Sequence, residues 1–295
     1  MRKGVSVELY NIYRPITATP FKNNEYYMEF APCNALKPYI RCFWGTRRAV
    51  KQEKSDVVVK EIVIPDTCMD IIFTVDFTNN KIESTFHGID DRTFAIYSVS
   101  NENKTTFTFA IRFYAWGVSA FTEESMRDTR NASFDVGYHF SKIKKEIENQ
   151  LFDVADMYQL VSVVEKVLLK RLRDRYKNHT VLQAIYKIIE NKGNILMTDL
   201  EKEVLIGNRQ LERLFGEYVG VSPKSLASMV RYQCLWSDLI YNKEFNTLDA
   251  VNKYGYSDQA HLCHDFKKYH SMSMADARKF AMQNVGNIQD TSSQL

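Results

Sequence analysis

The residues NRQLERLF at 208–215 and DQAHLCHDF at 258–266 decide how the last third of the chain folds. Each stretch places a Leu and a Phe four residues apart, so both apolar groups share one face of a short helix and polar side chains occupy the other. Four residues of the first copy recur 51 positions later: Leu211, Phe215, Tyr218 and Ser222 correspond to Leu262, Phe266, Tyr269 and Ser273. The sequence therefore predicts two copies of one helical unit.

The segments around both copies also show helical spacing. Further helices are predicted at 181–189, 198–204, 208–217 and 247–254. Ser222 supplies an N-cap and Pro223 a first helical residue for a long helix between the copies. The pattern predicts two helix-turn-helix units joined by a connecting helix. A short helix that projects long polar side chains is the form that reads the major groove of DNA.

The first part of the chain favours strands instead. Segments rich in β-branched and aromatic residues lie at 57–59, 62–64, 71–75, 93–97 and 105–111. Turn signals separate these segments. We predict an α+β protein, with an N-terminal β-rich barrel or sandwich domain followed by an all-α domain with two helix-turn-helix units.

Four segments follow from this change of pattern. We predict a β-rich sensing or dimerisation domain at 1–120, a helical linker at 121–178, the double helix-turn-helix domain at 179–283 and a flexible tail at 284–295. The linker contains a long amphipathic helix from Val154 to Tyr176. Its apolar stripe could pair two protomers, or it could pack on the β-rich domain of its own chain.

The overall composition excludes few classes of protein. The 295 residues carry a formal net charge of +3, so any affinity for DNA must come from where the charges lie. The 5 cysteines are scattered and form no CxxC pair, which is typical of reduced thiols in the cytoplasm. No apolar run is long enough to span a bilayer. We therefore expect a cytoplasmic protein without a membrane partner.

Two signatures resemble the AraC/XylS family of transcription regulators. One is GYSDQAHL at 255–262 followed by FKK at 266–268, and the other is GVSP at 220–223 followed by Arg231. The resemblance covers residues 181–283. It implies a sequence-specific regulator, more often an activator, that places two reading helices in successive major grooves, about 34 Å apart along the DNA. Double-stranded DNA is the predicted partner, with RNA polymerase, a small-molecule effector or protein partner, and a second copy of the chain as further candidates.

The exposed faces of the two reading helices supply the candidate DNA-binding residues: Arg209, Gln210, Glu212 and Arg213 in the first, and Gln259, Ala260, His261, His264 and Lys267 in the second. Arginine can pair with guanine, glutamine with adenine, glutamate with cytosine, and an alanine methyl can contact thymine. The alternative for each is an ordinary solvated side chain. Arg213 could pair with Glu217 four residues later, and Lys267, Lys268 and Arg231 could hold phosphates or fold contacts.

The first unit departs from the family pattern at three positions. Leu205 stands where the turn usually has glycine, Gly207 where a capping serine is usual, and Glu201 where a small alanine usually faces the reading helix. In the second unit, Val251 occupies the matching small position. These departures predict looser packing of the first unit and leave its competence in DNA binding open.

Two N-terminal segments, LKPYIRCFW at 36–44 and PDTCMDIIF at 65–73, resemble a β-rich domain often found ahead of this helix-turn-helix type. The resemblance implies a sensing or dimerising domain. Polar and aromatic side chains among the apolar strands form a candidate effector pocket: Trp44, Asp70, Arg112, Tyr114 and Trp116. The alternative is that Asp70 caps a turn or pairs with Arg112 and that the aromatic rings belong to the core.

The sequence offers candidates for two other kinds of site, a metal site and a nucleophilic cysteine. His261 and His264 could share a metal, but no further ligand completes a tetrahedral set at the usual spacing. Cys33 or Cys68 could be a nucleophile, but no neighbouring group indicates a lowered thiol pKa. We therefore expect no enzyme, cofactor or metal. The alternative function is a protein-interaction co-regulator that retains the fold with weak DNA binding, and a small-molecule-modifying or repair enzyme is the remaining rival.

Overall fold

The computed structural model describes residues 9–24, 26–100, 102–153, 156–173 and 178–282. Its first part is a β-rich sheet domain and its last part is helical, which confirms the predicted fold class. One continuous cluster of buried apolar side chains runs through both parts. The boundaries between the four predicted segments stay predictions.

The first part contains a short helix, α1 (Leu9–Ile12), and nine strands within the described residues. The strands are β1 (Met28–Phe30), β2 (Ile40–Gly45), β3 (Val50–Gln52), β4 (Ser55–Val63), β5 (Cys68–Asp76), β6 (Lys81–His87), β7 (Phe94–Ser100), β8 (Lys104–Tyr114) and β9 (Ser133–Asp135). The main sheet has the order β1-β2-β8-β5-β6-β9, with β3 also paired to β8, and its pairs are antiparallel.

Alternation along the central strands gives the main sheet one buried face. In β5, Ile71, Phe73 and Val75 are fully buried, whereas the residues between them are partly exposed. The buried face of β8 is formed by Phe109, Ile111 and Phe113. Successive side chains of a strand point to opposite faces, so the pattern of β5 is that of a half-buried strand. The other face carries the polar residues of the predicted pocket.

The expectation of a barrel needs correction, because the main sheet is not closed within the residues described. Closure requires the two edge strands to pair with each other. Here the edges are the short strands β1 and β9, and they lie at opposite ends of the strand order. Strands β4 and β7 form a separate two-stranded sheet, which we call the β4–β7 ribbon.

Two helices follow the sheet, α2 (Gly137–Glu148) and α3 (Met157–Arg171). The apolar stripe of α3 is buried inside its own chain, with Met157, Leu160, Val164 and Leu168 inaccessible to solvent. Asp156 caps this helix by accepting a hydrogen bond from the Gln159 amide. The stripe therefore packs within the protomer and does not pair two protomers. Residues 154–155 and 174–176, the ends of the predicted helix, lie outside the described residues.

The helical part comprises seven helices over 178–282, as the structure describes them. They are α4 (His179–Glu190), α5 (Met197–Val204), α6 (Asn208–Tyr218), α7 (Pro223–Tyr241), α8 (Thr247–Tyr254), α9 (Gln259–His270) and α10 (Met274–Met282). The Ser222 hydroxyl accepts a hydrogen bond from the Ser225 amide and Pro223 is the first residue of α7, which confirms the predicted start of the connecting helix. The predicted tail at 284–295 lies outside the described residues.

Candidate DNA interface

The first reading helix, α6, is fixed by its apolar side. Leu211, Leu214 and Phe215 are buried against the neighbouring helices. The four predicted reading residues of this helix are all exposed: Arg209, Gln210, Glu212 and Arg213. The Arg213 guanidinium lies 3.4 Å from the Glu217 carboxylate. The pairing considered for Arg213 is therefore present in the absence of DNA, and DNA would have to compete with it.

The second reading helix, α9, has the same construction. Leu262, Phe266 and Tyr269 are buried. Its predicted reading residues are exposed: Gln259, Ala260, His261, His264 and Lys267. The Asp258 carboxylate caps the helix by accepting from the His261 amide at 2.7 Å. Both helices thus present a polar face to solvent from an apolar anchor, as the repeat predicts.

The imidazole of His261 is the one ring of this group with a local partner. Its Nδ1 lies 3.1 Å from the Ser257 hydroxyl, and its ring meets Tyr256 edge-on at 5.2 Å. These contacts hold the ring near the start of α9. The position therefore favours a fixed side chain that is already oriented when DNA arrives.

Arg231 of the connecting helix is a fold contact. Its guanidinium lies 3.1 Å from the Asp265 carboxylate and stacks over the ring of Tyr256, whose hydroxyl also donates to Asp265. Arg231 and Asp265 are both largely shielded from solvent. This network joins α7 to α9, so it fixes the second reading helix relative to the connecting helix.

The turn of the first unit is strained at Leu205. Its backbone is left-handed, with φ of +58°, and its side chain is 87% exposed. Gly255 takes the same conformation after α8, with φ of +66°. Gly207 caps α6 without a side-chain hydrogen bond, whereas Asp258 caps α9 with one. The departures at these positions therefore change the turn and the cap, while the apolar side of α6 stays buried.

We predict that Leu205→Gly stabilises the protein by about 0.5–1 kcal/mol. A left-handed backbone costs an L-residue about 1–2 kcal/mol, and glycine avoids this cost. Part of the gain is lost because glycine gives up more conformational entropy than leucine when the chain folds. Urea unfolding measures the change. The matched control is Leu196→Gly, which also removes an exposed leucine but from an ordinary backbone, with φ of −71°. Equal effects of the two substitutions would show that the left-handed turn is not strained.

A buried glutamine of the connecting helix binds the β-rich domain. The Gln233 side-chain oxygen accepts from the Ile16 amide at 2.9 Å, and its nitrogen donates to the carbonyls of Ile16 at 3.1 Å and Pro65 at 2.7 Å. The indole of Trp236 donates to the Thr17 carbonyl at 3.0 Å. Both N–H donors and the oxygen of the Gln233 amide therefore bind backbone groups in the first part of the chain.

Each reading helix is also held at its C-terminal end. The Met126 amide donates to the Glu217 carbonyl of α6 at 2.9 Å, and the Thr93 hydroxyl donates to the Tyr269 carbonyl of α9. We call these bonds, with those of Gln233 and Trp236, the interdomain contact. The contact reaches both units and the connecting helix, and it leaves the predicted reading residues exposed.

Gly220 allows the segment around Met126 to lie close to the end of α6. It has a left-handed backbone with φ of +82°, and a Cβ here would lie 2.6 Å from the Thr129 hydroxyl and 2.8 Å from the Met126 carbonyl oxygen. Any larger residue would push the segment between β8 and β9 away from α6. The glycine of the GVSP signature therefore serves the interdomain contact as well as the turn.

Three of the predicted pocket residues form one network on the partly exposed face of the main sheet. The Asp70 carboxylate accepts charge-assisted bonds from Arg112 at 3.0, 3.2 and 2.9 Å, and a further bond from the Trp44 indole at 2.9 Å. A second carboxylate, that of Asp66, lies 3.2 Å from Arg112. The pairing of Arg112 with Asp70 is therefore present, and Asp66, rather than Asp70, caps the turn by accepting from the Cys68 amide.

Tyr114 and Trp116 lie beside this network in the core. Their rings stack at 4.5 Å, and the Trp116 indole donates to the Pro38 carbonyl at 2.8 Å. Both side chains are buried. A separate cleft of about 710 Å³ opens elsewhere, where Tyr13 and Arg14 meet Lys192 and Gln233. Contact of the five predicted residues with an effector stays a prediction.

The other candidate sites have ordinary surroundings. Burial raises the pKa of the Cys68 thiol well above its usual value, which disfavours the nucleophilic thiolate. In the part of the chain that the structure describes, no three His, Cys, Asp or Glu side chains are arranged to hold a metal ion. Every helix among the described residues is too short or too polar to cross a bilayer.

Two family models match the chain. Residues 28–135 match the Domain of unknown function (DUF6597), and residues 200–279 match the Helix-turn-helix domain. The second match is of the AraC type. The chain therefore contains an AraC-type helix-turn-helix domain, preceded by a domain of unassigned function, which confirms the predicted resemblance.

Two curated relatives are regulatory proteins. An uncharacterized HTH-type transcriptional regulator of Haemophilus influenzae is 28% identical over 118 residues, which are 40% of this chain and 38% of that protein. An uncharacterized response regulatory protein of Staphylococcus epidermidis is 28% identical over 114 residues, 39% of this chain and 44% of that protein. The chain thus spans about two-fifths of the length of the curated relatives it matches.

Solved structures with some likeness include a probable AraC family transcriptional regulator of Rhodopseudomonas palustris, with 22% identity, a TM-score of 0.31, and coverage of 35% of this chain and 98% of that chain. ToxT of Vibrio cholerae O395 has 11% identity and a TM-score of 0.40, covering 81% of this chain and 98% of that chain. The helix-turn-helix match and the curated relatives support a DNA-binding transcriptional regulator.

The sequence reasoning missed the interdomain contact. Gln233 lies on the apolar side of α7, four residues after Met229 and three before Trp236. A polar residue inside an apolar stripe is a signal that its side chain is buried with a partner. The partners themselves are backbone groups distant in sequence, so their identity needed the structure.

Proposed function

We propose that the protein regulates transcription by binding a specific DNA sequence with both reading helices, α6 and α9, in successive major grooves. One observation carries the proposal: two short helices of matching construction are anchored on either side of one connecting helix, and each presents only exposed side chains at its reading positions. Such helices fit the major groove, which is about 12 Å wide.

The type of each reading residue indicates which group of the DNA it would contact. Arg209 and Arg213 would bind guanine through two donors each, and Gln210 and Gln259 would pair with adenine. The methyl group of Ala260 would contact thymine. Lys267 stands about two turns further along α9 than Ala260, where it would hold a phosphate and fix the register without reading sequence.

We infer that the N-terminal domain modulates DNA binding through the interdomain contact. Met126 holds the end of α6, Thr93 holds the end of α9, and Gln233 holds the helix between them. Two reading helices bind together only when their separation matches one turn of DNA. A shift of the N-terminal domain would move the bonds made by Met126, Thr93 and Gln233. It would thereby change the separation between the two reading helices.

An effector would act most directly at this contact. The cleft is lined by Tyr13 and Gln233, and the Tyr13 hydroxyl is bonded to Thr67 in the turn whose Pro65 carbonyl Gln233 binds. A small molecule in the cleft would therefore touch the side chains that join the two parts. The predicted pocket at Trp44, Asp70 and Arg112 adjoins the same turn through Asp66.

Two variants test the DNA-reading proposal. Arg213→Ala and His264→Ala are each expected to reduce affinity for the preferred sequence by roughly tenfold, within the usual 1–3 kcal/mol for a base contact. Each should relax preference at different base pairs, about one helical turn apart. Fluorescence anisotropy on a set of single-base variants of the site measures both effects.

The matched control is Lys202→Ala, which removes an exposed charge from α5, outside both reading helices. It should leave base preference unchanged. A uniform loss of affinity for every sequence in the reading variants would show that Arg213 and His264 do not read bases. Binding of the wild-type protein that hardly changes with salt would instead support the protein-interaction alternative.

A further inference from the structure

The β4–β7 ribbon exposes large apolar side chains on both of its faces. On β7, Phe94, Ile96, Tyr97 and Val99 are exposed, with Tyr97 at 64%. On β4, three consecutive valines are more than half exposed, at 57–59. Monomeric proteins seldom present so much apolar surface in one place without a partner.

The two outer edges of the ribbon differ. The β4 edge has a register shift between Ser55 and Val59, and it carries the charges of Lys60 and Glu61. Bulges and charged side chains are the features that prevent an edge strand from pairing with another chain. Strand β7, FAIYSVS, has no charged residue and no proline over its seven residues, and among the described residues it pairs only with β4. Its edge is open to another strand.

We propose that β7 pairs antiparallel with β7 of a second copy of this chain, about a two-fold axis at Tyr97. The strand matches itself in this register. Phe94 lies opposite the partner's Ser100, Ala95 opposite the partner's Val99, and Ile96 opposite the partner's Ser98. A large side chain therefore meets a small one in each of these pairs, and the rings at the axis meet each other.

Charge also favours a second copy as the occupant. The pairing strand is uncharged, so the symmetric arrangement places no like charges directly opposite one another in the new strand pair. Within the protomer, the ammonium of Lys60 already lies over the Tyr97 ring at 5.8 Å, and Glu61 already pairs with Lys22. The nearest charges are therefore engaged within each chain, and pairing would extend the ribbon into a sheet of four strands.

The dimer would be weak and reversible. A seven-residue strand pair covers less than the roughly 800 Å² per partner that stable interfaces bury. The position of β7 would connect the dimer to the second reading helix. Thr93, whose hydroxyl bonds to the last turn of α9, directly precedes β7. Pairing would link two helix-turn-helix domains, and the proposal can be tested without DNA.

Sedimentation equilibrium of the full chain, over roughly a hundred-fold range of concentration, tests the pairing because a reversible dimer responds to protomer concentration. Wild-type protein should shift from monomer to dimer. Tyr97→Lys should raise the dimer dissociation constant about a hundredfold, since it places like charges opposite one another and removes an aromatic pair. Tyr97→Glu should raise it less, because Lys60 of the same chain lies beside position 97 and offsets the added charge. An equal mixture of the two variants should recover the dimer, because opposite charges then meet at the axis.

Val58→Lys is the matched control, since it adds a charge to the same ribbon at a residue that is 56% exposed on β4, and it should leave the dimer intact. Circular dichroism checks that each variant is folded. A wild-type protein that stays monomeric overturns the proposal, as does a dimer that survives both Tyr97 variants. A mixture of folded variants that does not associate overturns the register about Tyr97.

Discussion

Gln233→Leu is expected to lower the free energy of unfolding by about 3 kcal/mol, because backbone groups left buried without a hydrogen-bond partner cost about 1–3 kcal/mol each. The substitution keeps the apolar volume of the side chain but removes the partner of the Ile16 amide and of the carbonyls of Ile16 and Pro65. Gln233 is only 1% exposed, so solvent does not replace these bonds without a rearrangement. Urea unfolding measures the loss.

Gln183→Leu provides the control, because the Gln183 amide donates to the Glu203 carbonyl at 2.8 Å but at an exposed position. Solvent can replace this bond, so the expected cost is at most about 0.5 kcal/mol. An equal cost for the two substitutions would mean that the Gln233 bonds do not hold the domains together. The Gln233 variant should also bind its DNA site more weakly while the preferred sequence stays the same, since its reading residues are untouched.

The second large effect is loss of stability in mild acid, caused by His270. Burial lowers the pKa of this imidazole to about 3. Its Nδ1 lies 2.7 Å from the Tyr232 hydroxyl, and its ring stacks on Phe266 at 5.0 Å. The folded protein therefore holds His270 neutral, whereas the unfolded chain takes up a proton below about pH 6.5.

Proton uptake by the unfolded state determines how the free energy of unfolding changes with pH. Between pH 6.5 and pH 3 the unfolded state binds more protons at this site, so stability falls as the pH falls. From pH 7 to pH 5 we expect a loss of about 2 kcal/mol from His270, at 1.36 kcal/mol for each pH unit below 6.5. Thermal and urea unfolding across this range measure the loss.

The comparison protein is the double variant Tyr232→Phe and His270→Phe, which removes the titrating ring and the hydroxyl bonded to it together. Other titrating groups are common to both proteins, so the difference in their pH profiles reports His270. The variant should lose about 2 kcal/mol less than the wild-type protein between pH 7 and pH 5. Matching profiles would show that His270 is not held neutral in the fold.

Much of the fold could be predicted from local pattern. The Leu and Phe spacing of the repeat predicted α6 and α9, and Ser222-Pro223 predicted the start of α7. The β-branched and aromatic residues at 71–75 predicted a strand, and this segment lies within β5. These features depend on residues close together in sequence. They could therefore be recognised without knowing how the chain folds back on itself.

The arrangement of the strands could not be predicted in the same way. Both an open sheet and a closed barrel are built from alternating strands, and only the pairing of distant edges distinguishes them. The separate β4–β7 ribbon likewise depends on pairing between Val63 and Phe94, which are far apart in sequence. The apolar stripe of α3 was compatible with two partners, and packing within the chain decided between them.

The candidate site likewise has a part that local sequence pattern predicts and a part that depends on residues distant in sequence. Reading positions follow from helical spacing, because residues opposite the Leu and Phe anchor must face away from the core. The interdomain contact joins Gln233 to Ile16 and Pro65, which are more than a hundred residues away. The departure of Leu205 from the family pattern predicted looser packing of the first unit, whereas the left-handed backbone at Leu205 became visible only in the fold.

The central claim is that two reading helices select bases in adjacent major grooves. Selection of binding sites from a random pool of DNA, with the purified full-length protein at moderate salt, tests this claim most directly. We predict an enriched motif with two conserved blocks about one helical turn, roughly 10 base pairs, apart. A motif confined to one groove would contradict the use of both helices, and no enriched motif would contradict specific DNA binding.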